Sequence, residues 1–263
     1  MPEYSTLLFD VRDNVARITL NRPDAANTIS LELAKDLMVA ALRCDEDPAV
    51  RAVVITGSGR MFSGGGDLKS FMAAADPLPL HVKEVTTYLH AAISRLARMD
   101  APVIAAVNGT AAGAGMSLVC ACDFVLAAES ARFTMAYTRV GLSPDGSSSY
   151  FLPRIVGLKR AIDLTLTSRV ISAREALEIG IATRVVPDAE LARETETLAA
   201  ELARGATKAL GAAKRLLQGS FAETLETQME LETRAIADIA RTADAPEGIR
   251  AFLEKRAVSF KGR

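Results

Sequence analysis

Two glycine-rich turns, each following a short apolar run, constrain this chain more than any other feature of its sequence. The first run, Ala52-Val-Val-Ile-Thr56, leads through Gly57 to Phe62-Ser-Gly-Gly-Gly-Asp-Leu68. The second, Val103-Ile-Ala-Ala-Val107, leads directly into Asn108-Gly-Thr-Ala-Ala-Gly-Ala-Gly115. Apolar runs of this length without alternation read as strands buried on both faces. A strand, a glycine turn and a helix start, repeated, is the grammar of βα units. Phe124-Val-Leu-Ala127 is a third such run, and Val15-Ala-Arg-Ile-Thr-Leu20 alternates as a half-buried strand does. Leu31 to Arg43 carries Leu31, Ala34, Leu37, Met38, Ala41 and Leu42 at helical spacing, with Ser30 placed as N-cap. The fold class is therefore α/β.

The turns also suggest chemistry. Where a strand ends and a helix begins, backbone N–H groups are unpaired and point outward. Glycine lets a ligand approach that backbone closely. Two such N–H groups brought together would hold a developing negative oxygen. One turn of this kind reads simply as a tight turn; two in one chain make the joint reading stronger.

Composition excludes several alternatives. The 263 residues carry 31 Lys+Arg against 32 Asp+Glu, a formal net charge of -1, which argues against a nucleic-acid partner. The three cysteines, Cys44, Cys120 and Cys122, form no CxxC pair, so neither a disulfide framework nor a zinc site is expected and a cytoplasmic location is. The N-terminus has no apolar signal region. The uncharged stretch 101–122 is long enough to cross a bilayer. Its glycines, with Asn108, Thr110 and Ser117, read instead as strand, turn and helix start, so no membrane association is expected. Gly57-Ser-Gly59 lacks the third glycine of a dinucleotide fingerprint, and the chain has no phosphate-binding GxxxxGK[ST] or GxSxG. His81 and His90 belong to no HExxH and read as packing or surface residues.

Residues 172–258 read as helical throughout. Ser172-Ala-Arg-Glu175 is a capping box, Asp244-Ala-Pro-Glu247 is a second candidate, and Phe221, Leu225, Met229, Ile236 and Ile239 form a stripe suited to core packing or a subunit interface. Asp76-Pro-Leu-Pro-Leu80 reads as a flexible loop.

The pairing of FSGGGDL with AAVNGTAAGAGMSL resembles the crotonase (enoyl-CoA hydratase/isomerase) superfamily. So do Leu20-Asn-Arg-Pro23 with Asn27, Val53-Val-Ile-Thr-Gly57, Cys122-Asp123, Arg132-Phe133, Pro153-Arg-Ile-Val-Gly157 and Ala176-Leu-Glu-Ile-Gly180, so that the match runs from about Thr6 to Gly262. The resemblance implies a crotonase-like ββα spiral over residues 1–200 carrying an acyl-CoA site, with a C-terminal helical trimerisation region over 201–263. It implies a homotrimer or a dimer of trimers. It also implies that the N–H groups of Gly66 and Ala114 grip the thioester oxygen. Ala25, Ala26 and Asn27 would line the CoA channel with Gly64, Gly65, Asp67 and Leu68; Tyr137 would contact substrate, and Lys255, with Phe260, would reach CoA across a subunit boundary. Coenzyme A would arrive as part of the substrate; no other cofactor, metal or nicotinamide is implied.

The departures decide the chemistry. Hydratases of this superfamily carry two glutamates where this chain has Ser117 and Tyr137. Adding water to a double bond calls for one group to take a proton and one to deliver it. A carboxylate stands elsewhere, in Val140-Gly-Leu-Ser-Pro-Asp-Gly146. Read alone, Asp145 is a turn or N-cap residue. Within the resemblance it stands where the branch of enoyl-CoA and epoxyphenylacetyl-CoA isomerases places its single acid/base. That branch also shares the Met135–Asp145 stretch and the Glu247–Arg256 ending, whereas Ser147, Ser148 and Ser149 replace its usual Gly-Gly. One carboxylate suffices to move a proton two carbons along a dienolate. Leu68, Phe71, Met72 and Leu142 are candidates to surround it. Three alternatives stand beside this reading: a hydratase with an unusual site, an aryl-CoA dehalogenase or hydrolase with Asp145 as nucleophile and His90 activating water, and a non-catalytic binding protein.

Overall fold

The computed structural model describes residues 4–263. The chain opens with a hairpin, β1 (Leu7–Arg12) and β2 (Val15–Leu20). Asp13 and Asn14 turn it with φ of 54° and 62°, the pair of left-handed residues that a two-residue hairpin requires. Then come α1 (Leu31–Glu46), β3 (Ala52–Gly57), β4 (Met61–Ser63), α2 (Leu68–Ala73), α3 (Leu78–Arg98), β5 (Val103–Val107), β6 (Thr110–Ala112) and α4 (Ala114–Ala121). They are followed by β7 (Phe124–Ala128), β8 (Arg132–Thr134), α5 (Ser148–Val156), α6 (Leu158–Thr167), β9 (Ile171–Ser172), α7 (Ala173–Glu178) and β10 (Arg184–Val186). The chain finishes with α8 (Leu191–Ala203), α9 (Thr207–Gly219), α10 (Leu225–Ala240) and α11 (Asp244–Leu253).

Two sheets result, in the orders β1-β2-β3-β5-β7-β10 and β4-β6-β8-β9. Beyond the hairpin the larger sheet is parallel, as are β4, β6 and β8 in the smaller one. Each turn of the chain thus lays one strand in each sheet before going on, so β3-β4, β5-β6 and β7-β8 stack as successive steps of a ββα spiral. The apolar runs are strands for the reason their composition suggests: β5 is buried along its whole length. Phe62, Met116 and Phe133 are fully buried in one cluster with Ile55 and Ile104. The uncharged stretch 101–122 is β5, β6 and α4, and among the described residues no helix is long and apolar enough to cross a membrane.

Ser30 caps α1 by accepting the Leu33 N–H at 3.3 Å, and Ser172 caps α7 by accepting that of Glu175 at 3.1 Å. Four readings need correction. Leu78, Pro79 and Leu80 are helical, because proline is tolerated in the first turn, where its missing N–H is no loss. The region 172–258 is not helical throughout: Gly180, at φ 85°, ends α7, and β10 then joins the main sheet beside β7. Asp244 caps nothing; its carboxylate takes the N–H groups of Lys261 and Gly262 at 2.6 and 2.7 Å and ties down the chain's end. The division at residue 200 falls inside α8, which continues to Ala203.

The stripe of the helical tail is not buried in this chain: Phe221, Leu225, Met229 and Ile236 are exposed. What ties α9 to the spiral is polar. Lys214 donates to Asp123 at 2.8 Å and to the carbonyls of Leu96 and Ala101, while Asp123 also accepts the Val103 N–H.

Candidate active site

β4 and β6 lie side by side and parallel, with Met61 opposite Thr110 and Ser63 opposite Ala111. Their ends release the two glycine turns next to each other. Gly65 adopts φ 95°, and a Cβ there would stand 2.9 Å from the Ala112 oxygen and 3.4 Å from Gly113 Cα. Gly115 meets the first turn the same way, since a Cβ there would fall 2.6 Å from that of Ser63. The two turns therefore touch through backbone, at a distance only glycine allows.

The first turn is stitched on its outer side, where Gly64 N–H donates to Ala26 O, Ile29 N–H to Gly65 O and Asp67 N–H to Ile29 O. Asp67 then caps α2 through the Ser70 N–H at 3.1 Å and pairs with Arg22 at 2.8 Å. The N–H groups of Gly66 and Ala114 have no protein acceptor among the described residues, and both residues line one cavity.

That cavity has a volume of about 420 Å³. Its long wall is α3, through Val82, Val85, Thr86, Leu89 and His90; Leu68 and Phe71 of α2 face the same space. Tyr137, Leu142 and Asp145 line it as well. Asp145 is the one carboxylate lining it among the described residues. Tyr137 donates its phenol proton to Asp145 Oδ1 at 2.5 Å. Behind it the fully buried Ser117 hydroxyl lies 2.8 Å from the Tyr137 oxygen. Burial, and then the neighbouring carboxylate, push the Tyr137 pKa far above the usual phenol range, so it stays a donor. The Asp145 carbonyl accepts from the N–H and hydroxyl of Ser148, at 3.1 and 2.9 Å. Gly146, at φ 57°, lies so close to α4 that a Cβ there would be 2.9 Å from that of Ser117. Its N–H donates to His90 Nε2 at 3.1 Å, so a neutral His90 carries its proton on Nδ1.

The structure brings together Gly64, Gly65, Gly66, Leu68, Ala114, Tyr137 and Asp145. Ala25 and Ala26 adjoin the first turn but do not line the cavity. Asn27 is buried with its amide spent on Arg22 N–H and on the carbonyls of Ser58 and Met61. Asp67 is spent on its cap and Arg22, Met72 is 79% exposed and outside the cavity, and Lys255 is exposed beyond α11. Of the α3 wall the sequence points only to His90, although Val82, Val85, Thr86 and Leu89 carry helical spacing that reveals the rest. The contact between Ser117 and Tyr137 left no sequence signal at all.

Comparison with known proteins decides the family. The family model described as enoyl-CoA hydratase/isomerase matches residues 10–263. The chain belongs to the enoyl-CoA hydratase/isomerase family. It is 39% identical over 263 residues to a probable enoyl-CoA hydratase of Rhodobacter capsulatus, covering 99% of each chain. It is 38% identical over 258 residues to the 1,2-epoxyphenylacetyl-CoA isomerase of Escherichia coli, covering 98% of each. The crystal structure of a putative enoyl-CoA hydratase from Streptomyces coelicolor superposes with a TM-score of 0.93 at 34% identity, over 100% of this chain and 96% of that one. This enoyl-CoA hydratase/isomerase family member thus has the crotonase fold and is an enzyme of acyl-CoA substrates.

Proposed function

We propose that this enzyme moves a double bond within an acyl-CoA, with Asp145 as its single acid and base. The observation that carries the reading is the placement of one carboxylate in an apolar cavity that also holds two unpaired backbone N–H groups. The thioester oxygen binds the N–H groups of Gly66 and Ala114, and coenzyme A, entering as part of the substrate, runs out past the first glycine turn, 64–68, and the adjoining Ala25 and Ala26. Asp145 takes a proton from the carbon beside the double bond. The electron pair spreads into a dienolate whose oxygen the two donors hold, each worth about 2.7–4 kcal/mol. Asp145 then returns the proton two carbons along. Isomerisation of a ring epoxide carried on the acyl group would use the same donors.

Hydration has less support, because the hydroxyls of Ser117 and Tyr137 bond to each other and to Asp145 rather than standing free to position water. Attack by Asp145 on an aryl ring would need His90 to activate water, yet its Nε2 already accepts the Gly146 N–H. The exposed stripe on α10 supports assembly into a trimer or a dimer of trimers, which sedimentation would distinguish from a 27.9 kDa monomer.

The test is an ultraviolet assay with a 3-enoyl-CoA on the wild type and Asp145→Asn. Growth of the conjugated 2-enoyl thioester band, reduced by about 100- to 10,000-fold in the variant, is the expected result. Equal rates in the two proteins would overturn the assignment of Asp145. A mass increase on Asp145 from an aryl-CoA substrate would replace it with the nucleophilic reading.

A further inference from the structure

Ser117 has one hydroxyl proton and two acceptors. Its oxygen lies 2.8 Å from the Tyr137 oxygen and 3.2 Å from the carbonyl oxygen of Gly113, one helical turn back. That carbonyl belongs to the same peptide group as the Ala114 N–H. The row Asp145, Tyr137, Ser117, Gly113 carbonyl, Ala114 N–H therefore joins two groups that line the cavity, the Asp145 carboxyl and the Ala114 N–H, without a break.

We propose that Ser117 couples the charge on Asp145 to the oxyanion end of the cavity, through the peptide joining Gly113 to Ala114. This rests on the reading of Asp145 as the base and of the Ala114 N–H as an oxyanion donor. While Asp145 is ionised, Tyr137 gives its proton to Oδ1 and draws the Ser117 proton onto its own oxygen. When the substrate's proton arrives on the other carboxyl oxygen, the charge is gone and Oδ1 becomes a weaker acceptor. The Ser117 hydroxyl then turns to the Gly113 carbonyl. A hydrogen bond accepted by a peptide oxygen polarises that peptide and strengthens its N–H as a donor. The Ala114 donor gains strength as the enolate oxygen gains charge. No proton crosses the row: the substrate's proton stays on Asp145 until it returns to carbon, Tyr137 keeps its proton toward Oδ1, and only the Ser117 hydroxyl turns.

Ser117 is thus a positioning residue, and its test reads the oxyanion end directly. The carbonyl stretch of a saturated acyl-CoA, labelled with carbon-13 at the thioester, is measured by infrared difference spectroscopy on wild type, D145N, S117A and the double variant. D145N, which places a neutral group beside Tyr137, is expected to lower the band further, and S117A to remove part of that change. Equal displacement by D145N with and without S117A would overturn the coupling. Y137F cuts the same row at its middle, so D145N in that background is expected to show the same reduced displacement; a full displacement there would also overturn it. In turnover, S117A should lower kcat about three- to tenfold with KM little changed. An unchanged kcat would count against the proposal. The band is read without turnover, so a D145N protein that still isomerises would refute the base assignment while leaving the coupling to be judged on the spectra.

Discussion

In one part of the cavity lining the groups offered to a ligand are backbone N–H groups, of Gly66 and Ala114; in another the group is a side chain, Asp145. The first part is fixed by two neighbouring parallel strands, β4 and β6, and by glycines that let their turns touch. The second is assembled from α3, α4 and the stretch 137–148 by hydrogen bonds between side chains and loop backbone. A backbone site survives almost any exchange of side chains except where a Cβ has no room. A side-chain site can change its chemistry with a single substitution. On the proposed function, one fold can thus keep its hold on a thioester oxygen while the groups around the acyl chain vary.

The most damaging way to probe this contrast is to put a Cβ between the turns. Gly65→Ala places one 2.9 Å from the Ala112 carbonyl, at φ 95°. The turns must separate, and kcat should fall about 100- to 1,000-fold, the usual loss for one misplaced oxyanion donor. Gly157→Ala is the control: φ there is 80°, but a Cβ would meet nothing within 4 Å. It should lose some stability and little turnover. Equal loss of kcat in both would mean that positive φ, not the approach of the two turns, is what matters at Gly65.

How far the sequence could be read follows the same division. Glycine turns after apolar runs are legible because no other residue substitutes for glycine where two backbones meet, and the strands are legible because both of their faces are apolar. Asp145 was legible through resemblance, since alone it is an ordinary turn aspartate. Its hydrogen-bond partners are legible only in part. The resemblance implies Tyr137 at the site, as a substrate contact, whereas Ser117 reads only as a missing glutamate, and the folded geometry is what brings the two hydroxyls to 2.8 Å. The closeness of Gly146 to Ser117 also explains why the position is small, as a longer side chain there would strike the loop. β10 is not legible because Arg184-Val-Val186 is too short to carry a pattern. Asp244 reads as a cap because a capping sequence and a clamp on the chain's end look alike until the end is in place.

Removing the phenol of Tyr137 probes the side-chain part, with a smaller effect. Tyr137→Phe leaves Oδ1 without that donor, and a hydrogen bond to a charged group is worth about 1.5–3 kcal/mol. A fall in kcat of about 10- to 100-fold is expected, with KM nearly constant. A rise in KM with kcat unchanged would place Tyr137 in substrate binding alone. The same substitution has a signature in alkali. Burial raises the folded phenol above its ordinary value of 10.0, so the folded state holds its proton more tightly than the unfolded one. This contribution to stability is complete below pH 10 and lost as the pH climbs from there toward the folded value. Melting temperatures of wild type and Tyr137→Phe should therefore converge or cross as the pH rises above the ordinary phenol range, and parallel curves would remove the argument from burial.

The α3 wall is mostly apolar, and the smallest effect tests whether its one hydroxyl is silent. Thr86 lines the cavity, but its hydroxyl is held by its own helix, at 2.9 Å from the Val82 carbonyl and 3.1 Å from that of Lys83. A hydroxyl satisfied inside its helix has little to offer a ligand, and valine has nearly the same shape. Thr86→Val should therefore change kcat and KM by less than about twofold, since replacing a polar group by an apolar one of like shape costs little when no partner is stranded. A selective loss of turnover with an oxygenated acyl chain, and none with a plain one, would show a third polar group at work. The cavity would then recognise its substrate along the wall as well as at those two parts.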